Sequence, residues 1–267
     1  MPIADHSNQA MTSFLEVAIA AARQAGAVVR DGYGRAAQIT HKGAIDLVTD
    51  TDQRSEAAIL GTLRQAFPSH AIRAEESGRS AGDDYEWLVD PLDGTTNFAH
   101  KFPVFSISLA LTHQGRLIMG VVYDPLRDDL FTAEAGQGAR RNGSPIRVSA
   151  TATLDQSLLS TGFPYDVATN PNNNLAEYTR FALLTQGVRR TGSAALDCSW
   201  LAAGQLDGFW ELRLKPYDVG AGALIAREAG GRVTTYSGDE DFLGKDTIVV
   251  SNGLLHEAML RVLNSDK

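Results

Sequence analysis

The sequence predicts a mixed α/β protein. Three observations carry that prediction: apolar residues recur at helical spacing near the N-terminus, short apolar runs joined by tight turns fill the middle, and strands alternate with helices after about residue 150. The 267 residues contain no repeat and no low-complexity tract, and they suit one large or two small domains. A soft boundary near residue 150 separates 1–150 from 151–267. With no Pro- or Ser-rich linker there, the two parts are expected to share an interface.

The first helix is expected over about Thr12 to Arg30. Phe14, Leu15, Ala18, Ala21, Ala22, Ala25, Val28 and Val29 share its period, and Gly32-Tyr33-Gly34 ends it. A second helix runs from near Asp52 to Phe67, with Ile59, Leu63 and Phe67 on one face and Pro68 as terminator. Strands follow at Ala71 to Ala74 and Glu86 to Asp90. Val104 to Leu111 and Leu117 to Tyr123 form a hairpin across Gln114-Gly115. Asn142-Gly143 is a hairpin turn between Gly138-Arg141 and Pro145-Val148, and the sequon it spells with Ser144 is read as that turn. Beyond it lie a strand at Leu158-Ser160, a polar loop from Asn170 to Asn174 and a helix ending near Thr185. A helix at Ala194 to Ala203, a strand at Gly208 to Glu211 and a helix at Asp218 to Ala229 come next. A buried strand at Ile248-Val250 precedes a last helix from about Leu254.

Composition narrows the function. Hydrophobic residues make up 43% and charged residues 21%, which rules against wholesale disorder. Lys and Arg total 24 against 32 Asp and Glu, a net charge of −8, so a phosphate-gripping nucleic-acid surface is not expected. No run approaches the ~18 apolar residues of a membrane helix. Met1 to Gln9 has Asp5 and no basic stretch before an apolar one, so no secretory signal is read there. The single Cys198 excludes an intramolecular disulfide and a Cys-only zinc site. A cytoplasmic protein acting on a small molecule is expected.

Common catalytic patterns fail. Gly238 to Gly244-Lys245 is one residue too long for a P-loop, and Asp246 replaces its Ser/Thr. The dinucleotide fingerprint ends on Ala37 after Gly32 and Gly34, and on Ile225 after Gly220 and Gly222. A calcium loop from Asp50 meets Arg54 and Ser55 at its third acidic and glycine positions. No Gly-x-Ser-x-Gly elbow exists. Cys198 has Gly204 rather than Arg six residues on and reads as core. Arg54 stands where a phosphoaspartyl site built on Asp50-Thr51-Asp52 needs a small residue. The six His residues lack ligand spacing and read as surface or structural.

What remains is carboxylates at strand ends and loop starts. Asp90 and Asp93 flank Pro91-Leu92, where proline fixes φ and both acids, with the Leu92 carbonyl, can face one spot. Gly94 permits close backbone approach, and a helix starting there would offer free N–H groups to a phosphate. Such oxygens suit a hard cation such as magnesium. Glu75, Asp90, Asp93 and Asp218 together would repel a phosphate unless about two or three divalent ions offset them. The plainer reading makes these residues turn and cap aspartates. It is preferred for Asp218 taken alone and disfavoured for the run from Asp90 to Thr95.

These residues carry a resemblance to the inositol monophosphatase family. Four blocks match in family order: Lys42-Gly43 with Asp46 to Asp52, Glu75-Glu76-Ser77, Trp87 to Phe98, and Pro216-Tyr217-Asp218-Val219 through Gly231. They span about residue 14 to 262. The resemblance implies a layered α-β-α-β-α sandwich, usually a homodimer, and magnesium-dependent, lithium-inhibited hydrolysis of a phosphate monoester. It implies that the N-terminal half carries most metal ligands: Glu75, Asp90 and the Leu92 carbonyl for a first ion, and Asp90, Asp93 and Asp218 for a second. Glu75 would help a third through water. Thr95 and Asp52 would orient the attacking water, and the Gly94 and Thr95 N–H groups would grip the phosphate. Asp93, Gly192, Ser193, Ala194, Glu211 and Arg189 would contact the substrate. Two departures stand out: Tyr217 replaces the usual Trp, and Asp50 replaces a small residue.

Thr96-Asn97-Phe98 resembles the inositol monophosphatase branch, since histidinol-phosphatase and phosphoadenosine-phosphate phosphatase relatives tend to carry Lys after that Thr. Strand alternation would place Arg213 and Lys215 on the face of Glu211, as solvated charges or as contacts to a second phosphate such as that of fructose bisphosphate. A non-catalytic binding protein would be expected to carry a broken ligand set, and a calcium-binding module would need loop spacing the chain lacks.

Overall fold

Ala18, Ala21, Ala22, Ala25 and Val29 lie fully buried along one face of helix α1 (His6–Gly32), as its spacing requires. The computed structural model describes residues 6–35, 39–41 and 47–265. Met1 to Asp5, Ala37, Lys42, Gly43 and Asp46 lie outside the described residues. A small hairpin, β1 (Ile39–His41) with β2 (Leu47–Thr49), leads into α2 (Asp50–Ala66). Helix α2 starts two residues before the expected Asp52 because Thr49 is its N-cap, with Asp52 bonding back to the Thr49 N–H.

Next come β3 (Ala71–Ala74), β4 (Gly78–Ser80), β5 (Tyr85–Asp93), α3 (Thr95–Ala99), β6 (Ser106–His113), β7 (Arg116–Asp124), β8 (Asp129–Glu134), β9 (Ala139–Arg141) and β10 (Ser144–Pro145). They form an eight-stranded sheet in the order β10-β9-β8-β7-β6-β5-β3-β4, antiparallel except for β3 beside β5. The rest of the chain gives β11 (Leu158–Thr161), α4 (Leu175–Leu184), β12 (Gly187–Arg189), α5 (Ala194–Ala202), β13 (Gly208–Leu212), α6 (Pro216–Glu228), β14 (Arg232–Thr234), β15 (Thr247–Ser251) and α7 (His256–Leu263). Its five strands are ordered β12-β11-β13-β15-β14.

Three apolar clusters bind five layers. One joins α1 and α2 to the outer face of the large sheet through Ile59, Leu63, Trp87 and Ile107. A second surrounds α5 and α6 between the sheets, and a third seats α4 and α7 on the small sheet around Phe181 and Trp210. This is the α-β-α-β-α sandwich. Because helices cover both faces of the large sheet, Ser106 to Thr112 of β6 is buried at every position instead of alternating. Small residues let the middle layer close: a Cβ at Gly222 would stand 2.6 Å from Cys198 Cβ, where α6 crosses α5. No helix of the described residues is long and apolar enough to cross a membrane.

Candidate active site

Three residues apart on a regular strand, Asp90 and Asp93 would face opposite sides of the sheet. The pairing with β6 shifts between them, Asp90 opposite Ser108 and Asp93 opposite Ser106, so one extra residue is accommodated on β5. Pro91, which has no N–H to give a ladder, sits in this bulge. The strand expected to end at Asp90 therefore continues through a bulge to Asp93. Its effect is that both carboxylates line one cavity of about 420 Å³.

Gly94 follows with φ 99°, and a Cβ there would lie 3.0 Å from the Val104 carbonyl and 3.1 Å from that of Gly192, so the position demands glycine. Helix α3 then presents Thr95, whose Oγ1 is 2.9 Å from Asp52 Oδ1 and 3.0 Å from the Leu92 carbonyl. Asp52 is fully buried behind Thr95. Its other oxygen accepts from the Thr49 N–H and hydroxyl, at 2.8 and 2.6 Å, so one carboxylate caps α2 and holds Thr95. Burial raises its pKa, and the bonds from Thr49 and Thr95 oppose that rise.

Glu75 leaves the end of β3 beside Asp90, its N–H bonded to the Val89 carbonyl at 3.1 Å. Asp218 arrives from the opposite half of the chain in the first turn of α6. Its Oδ2 accepts from the Lys215 N–H at 2.6 Å, so it caps the helix and lines the cavity at once. Asp93 performs a similar double task. Its carboxylate accepts from the Ala195 N–H at 2.9 Å and from the Ser193 and Ser106 hydroxyls, and so anchors the start of α5.

The electrostatics follow from this crowding. Asp90 is 2% exposed. Burial, then the charges of Glu75, Asp93 and Asp218, push its carboxyl well above the ordinary range. Asp218 is raised in the same way, by burial first and by Glu75 and Asp93 after it. Burial pushes Asp93 to about 6 despite its bonds to Ser193 and Ala195. Buried, mutually repelling hard oxygens are the donor chemistry of a divalent cation such as magnesium. Among the described residues, however, no three carboxylates are drawn close enough to enclose an ion. The donors are assembled around one cavity without forming a finished shell.

Gly192, Ser193, Ala194 and Glu211 line the same cavity, as do Leu92, Gly94 and Thr95. Burial pushes the Glu211 carboxyl to about 8, with Arg190 opposing and Asp197 and Asp93 adding to the rise. Arg189 does not join them. It is exposed at the end of edge strand β12, and the next residue, Arg190, lines the cavity instead. The sequence carried no visible signal for β12, so strand parity could not separate the two arginines. Asp197 was missed as well; it lines the cavity from α5, a helix buried at nearly every position, where an acid among apolar residues stands 2% exposed. Asp50 lies off the cavity, 4.0 Å from Arg54.

Arg213 lines the cavity with Glu211 and Lys215, though not through strand alternation. Strand β13 ends at Leu212 and Arg213 turns to φ 61°, so the alternation that would set it beside Glu211 stops. Its guanidinium pairs with Asp166 and bonds the Asn172 carbonyl. It thereby holds the segment after β11, in which Phe163, Pro164 and Tyr165 form a wall of the cavity. Lys215 and Tyr217 complete the rim.

Comparison with known proteins identifies the family and the fold. The model of the inositol monophosphatase family matches residues 10–266. An inositol-1-monophosphatase from Synechocystis sp. is 46% identical over 95% of this chain and 89% of its own length. A Nus factor SuhB from Escherichia coli is 42% identical over 94% and 95%. Among solved structures, the inositol monophosphatase of Anabaena (Nostoc) sp. superposes with a TM-score of 0.86 at 44% identity, covering 95% of this chain and 96% of that one. The suhB extragenic suppressor protein of Bartonella henselae reaches 0.91 at 39% identity, covering 96% and 100%. The matched region spans both sheets and all the carboxylates of the cavity, and this chain accordingly belongs to the inositol monophosphatase family.

Proposed function

We propose that the protein is a magnesium-dependent phosphate monoesterase whose preferred substrate is an inositol monophosphate. The observation that carries this reading is the gathering of Glu75, Asp90, Asp93 and Asp218, from three separate stretches of chain, around one cavity beside the Thr95–Asp52 pair. Glu75, Asp90, Asp93, Asp218 and the Leu92 carbonyl would hold two or three magnesium ions. Magnesium, when bound, neutralises the carboxylates, draws in an anionic ester and makes water a nucleophile near neutral pH. Asp52 accepts the Thr95 hydroxyl proton, which leaves a Thr95 lone pair to receive a proton from the attacking water. The N–H groups of Gly94 and Thr95 orient the phosphate, and Ser193, Ala194 and Glu211 meet the hydroxyls of the polyol. Arg190, rather than Arg189, is the arginine on that side. Arg213 lines the cavity, but its guanidinium is engaged by Asp166, which favours a monophosphate over fructose bisphosphate. On this reading the enzyme is cytoplasmic, sensitive to lithium and paired as a homodimer.

A second reading, a non-catalytic binding role, takes support from the relatives named Nus factors. Phosphate release separates the two. The panel is myo-inositol phosphate, fructose bisphosphate, histidinol phosphate and phosphoadenosine phosphate, each with magnesium and with chelator. Magnesium-dependent release with preference for the inositol ester is expected. Saturating magnesium at about 100 times its Kd should stabilise the fold by about 2.7 kcal/mol. No release from any ester, with an unmoved melting temperature, would leave only the binding role.

A further inference from the structure

Helix α2 offers three buried polar side chains on one face, Asp52, Ser55 and Glu56, at the i, i+3 and i+4 spacing that stacks neighbours along a helix. Each reaches a different site-bearing segment. Asp52 bonds Thr95 at 2.9 Å. The Ser55 hydroxyl, 0% exposed, donates to the Pro91 carbonyl at 2.7 Å, inside the bulge between Asp90 and Asp93. Glu56, 4% exposed, accepts from the Glu76 N–H at 2.8 Å and from the Ser77 N–H at 2.9 Å. These are the two residues directly after Glu75, whose own N–H is held by Val89.

We propose that Glu56, assisted by Ser55, is a positioning residue: from α2 it sets where Glu75 and the Asp90–Leu92 bulge stand relative to Thr95. The chemistry selects a carboxylate. Two N–H donors need two acceptor oxygens, and a glutamine would turn its NH₂ toward one of them. A helix with three anchors fixes the three segments from one side, in addition to the Glu75–Val89 and Thr95–Leu92 bonds that link them directly. Outer partners of metal-holding carboxylates govern the affinity of the site in this way. The inference rests on the reading that Glu75 and Asp90 hold magnesium.

The test is magnesium titration calorimetry on the whole protein without ester, alongside metal-free melting temperature and the KM–kcat split at saturating magnesium. Glu56→Gln is expected to weaken magnesium binding about 10- to 100-fold. KM for myo-inositol phosphate should stay within about twofold, because Glu56 touches none of the substrate side. Ser55→Ala, which removes one hydrogen bond, should weaken magnesium about fivefold. Magnesium affinity unchanged in both variants, whatever their melting temperatures, would overturn the proposal and leave Glu56 a fold-stabilising residue. If Glu56→Gln does not fold, Ser55→Ala decides by the same criterion. A wild-type protein that neither binds magnesium nor releases phosphate would sink the phosphatase reading, and this inference with it, before any variant is compared.

Discussion

Replacing Glu211 by Gln should remove a pH-dependent instability from the metal-free protein. The Glu211 carboxyl titrates near 8 in the fold and near 4.5 in the open chain. Between those values the folded protein holds a proton that the unfolded chain has released, so stability falls as pH rises. The full difference amounts to about 5 kcal/mol. Glu211 is part-exposed on the cavity wall, and solvent screening reduces the working figure to roughly 2–3 kcal/mol. At about 2–4 °C per kcal/mol for a chain of this size, the wild type should lose roughly 5–10 °C of melting temperature between pH 5 and pH 8 through this group. The glutamine variant has nothing to ionise there. Scanning calorimetry in chelator should find the two proteins within about 2 °C of each other at pH 5. At pH 8 the variant should be the more stable. Parallel melting curves across that pH range would refute the premise that burial keeps Glu211 protonated.

Other perturbations probe other layers. Asp93→Asn should fold but lose at least about 100-fold in phosphate release, because one oxygen becomes a donor facing the Ser193 hydroxyl and the Ala195 N–H; wild-type turnover would contradict its place in the site. Arg213→Ala should change stability by no more than about 1 kcal/mol, since the Asp166 pair is exposed. It should raise KM more than it lowers kcat by freeing the wall that carries Phe163 and Tyr165, and steady-state kinetics with both parameters unchanged would show the wall to be self-supporting. Gly222→Val should destabilise by about 1–3 kcal/mol or more, because its Cβ meets Cys198 Cβ at 2.6 Å; an unchanged denaturation midpoint would mean that α5 and α6 can part without loss.

Most of the fold was legible because local forces wrote it. Helix α1 follows from alanines at helical spacing, and the hairpin between β6 and β7 follows from Gln114-Gly115 between apolar runs. The short edge strands β4, β12 and β14 were not legible, since three residues carry too little pattern to reveal a period. That gap is what misplaced Arg189. Pro91 announced a break in the strand, but whether the chain would turn or bulge depended on pairing across the ladder, where Asp93 resumes opposite Ser106.

The sequence by itself determined the kinds of groups available: hard acidic oxygens, a Thr with an Asp to back it, a glycine where backbones touch, and no nucleophilic Cys or metal-binding His set. Only the tertiary structure decided which of them meet. Thr95 reaches Asp52 across 43 residues and Asp93 reaches Ala195 across 102, and no local spacing encodes either contact. It also decided their acidity, because burial in a shared cavity, more than residue type, pushes Asp90 and Glu211 upward. The physical reason is one of range. Backbone preference acts over a few residues and shows in the sequence, whereas desolvation and charge act through space and exist only after the layers have closed.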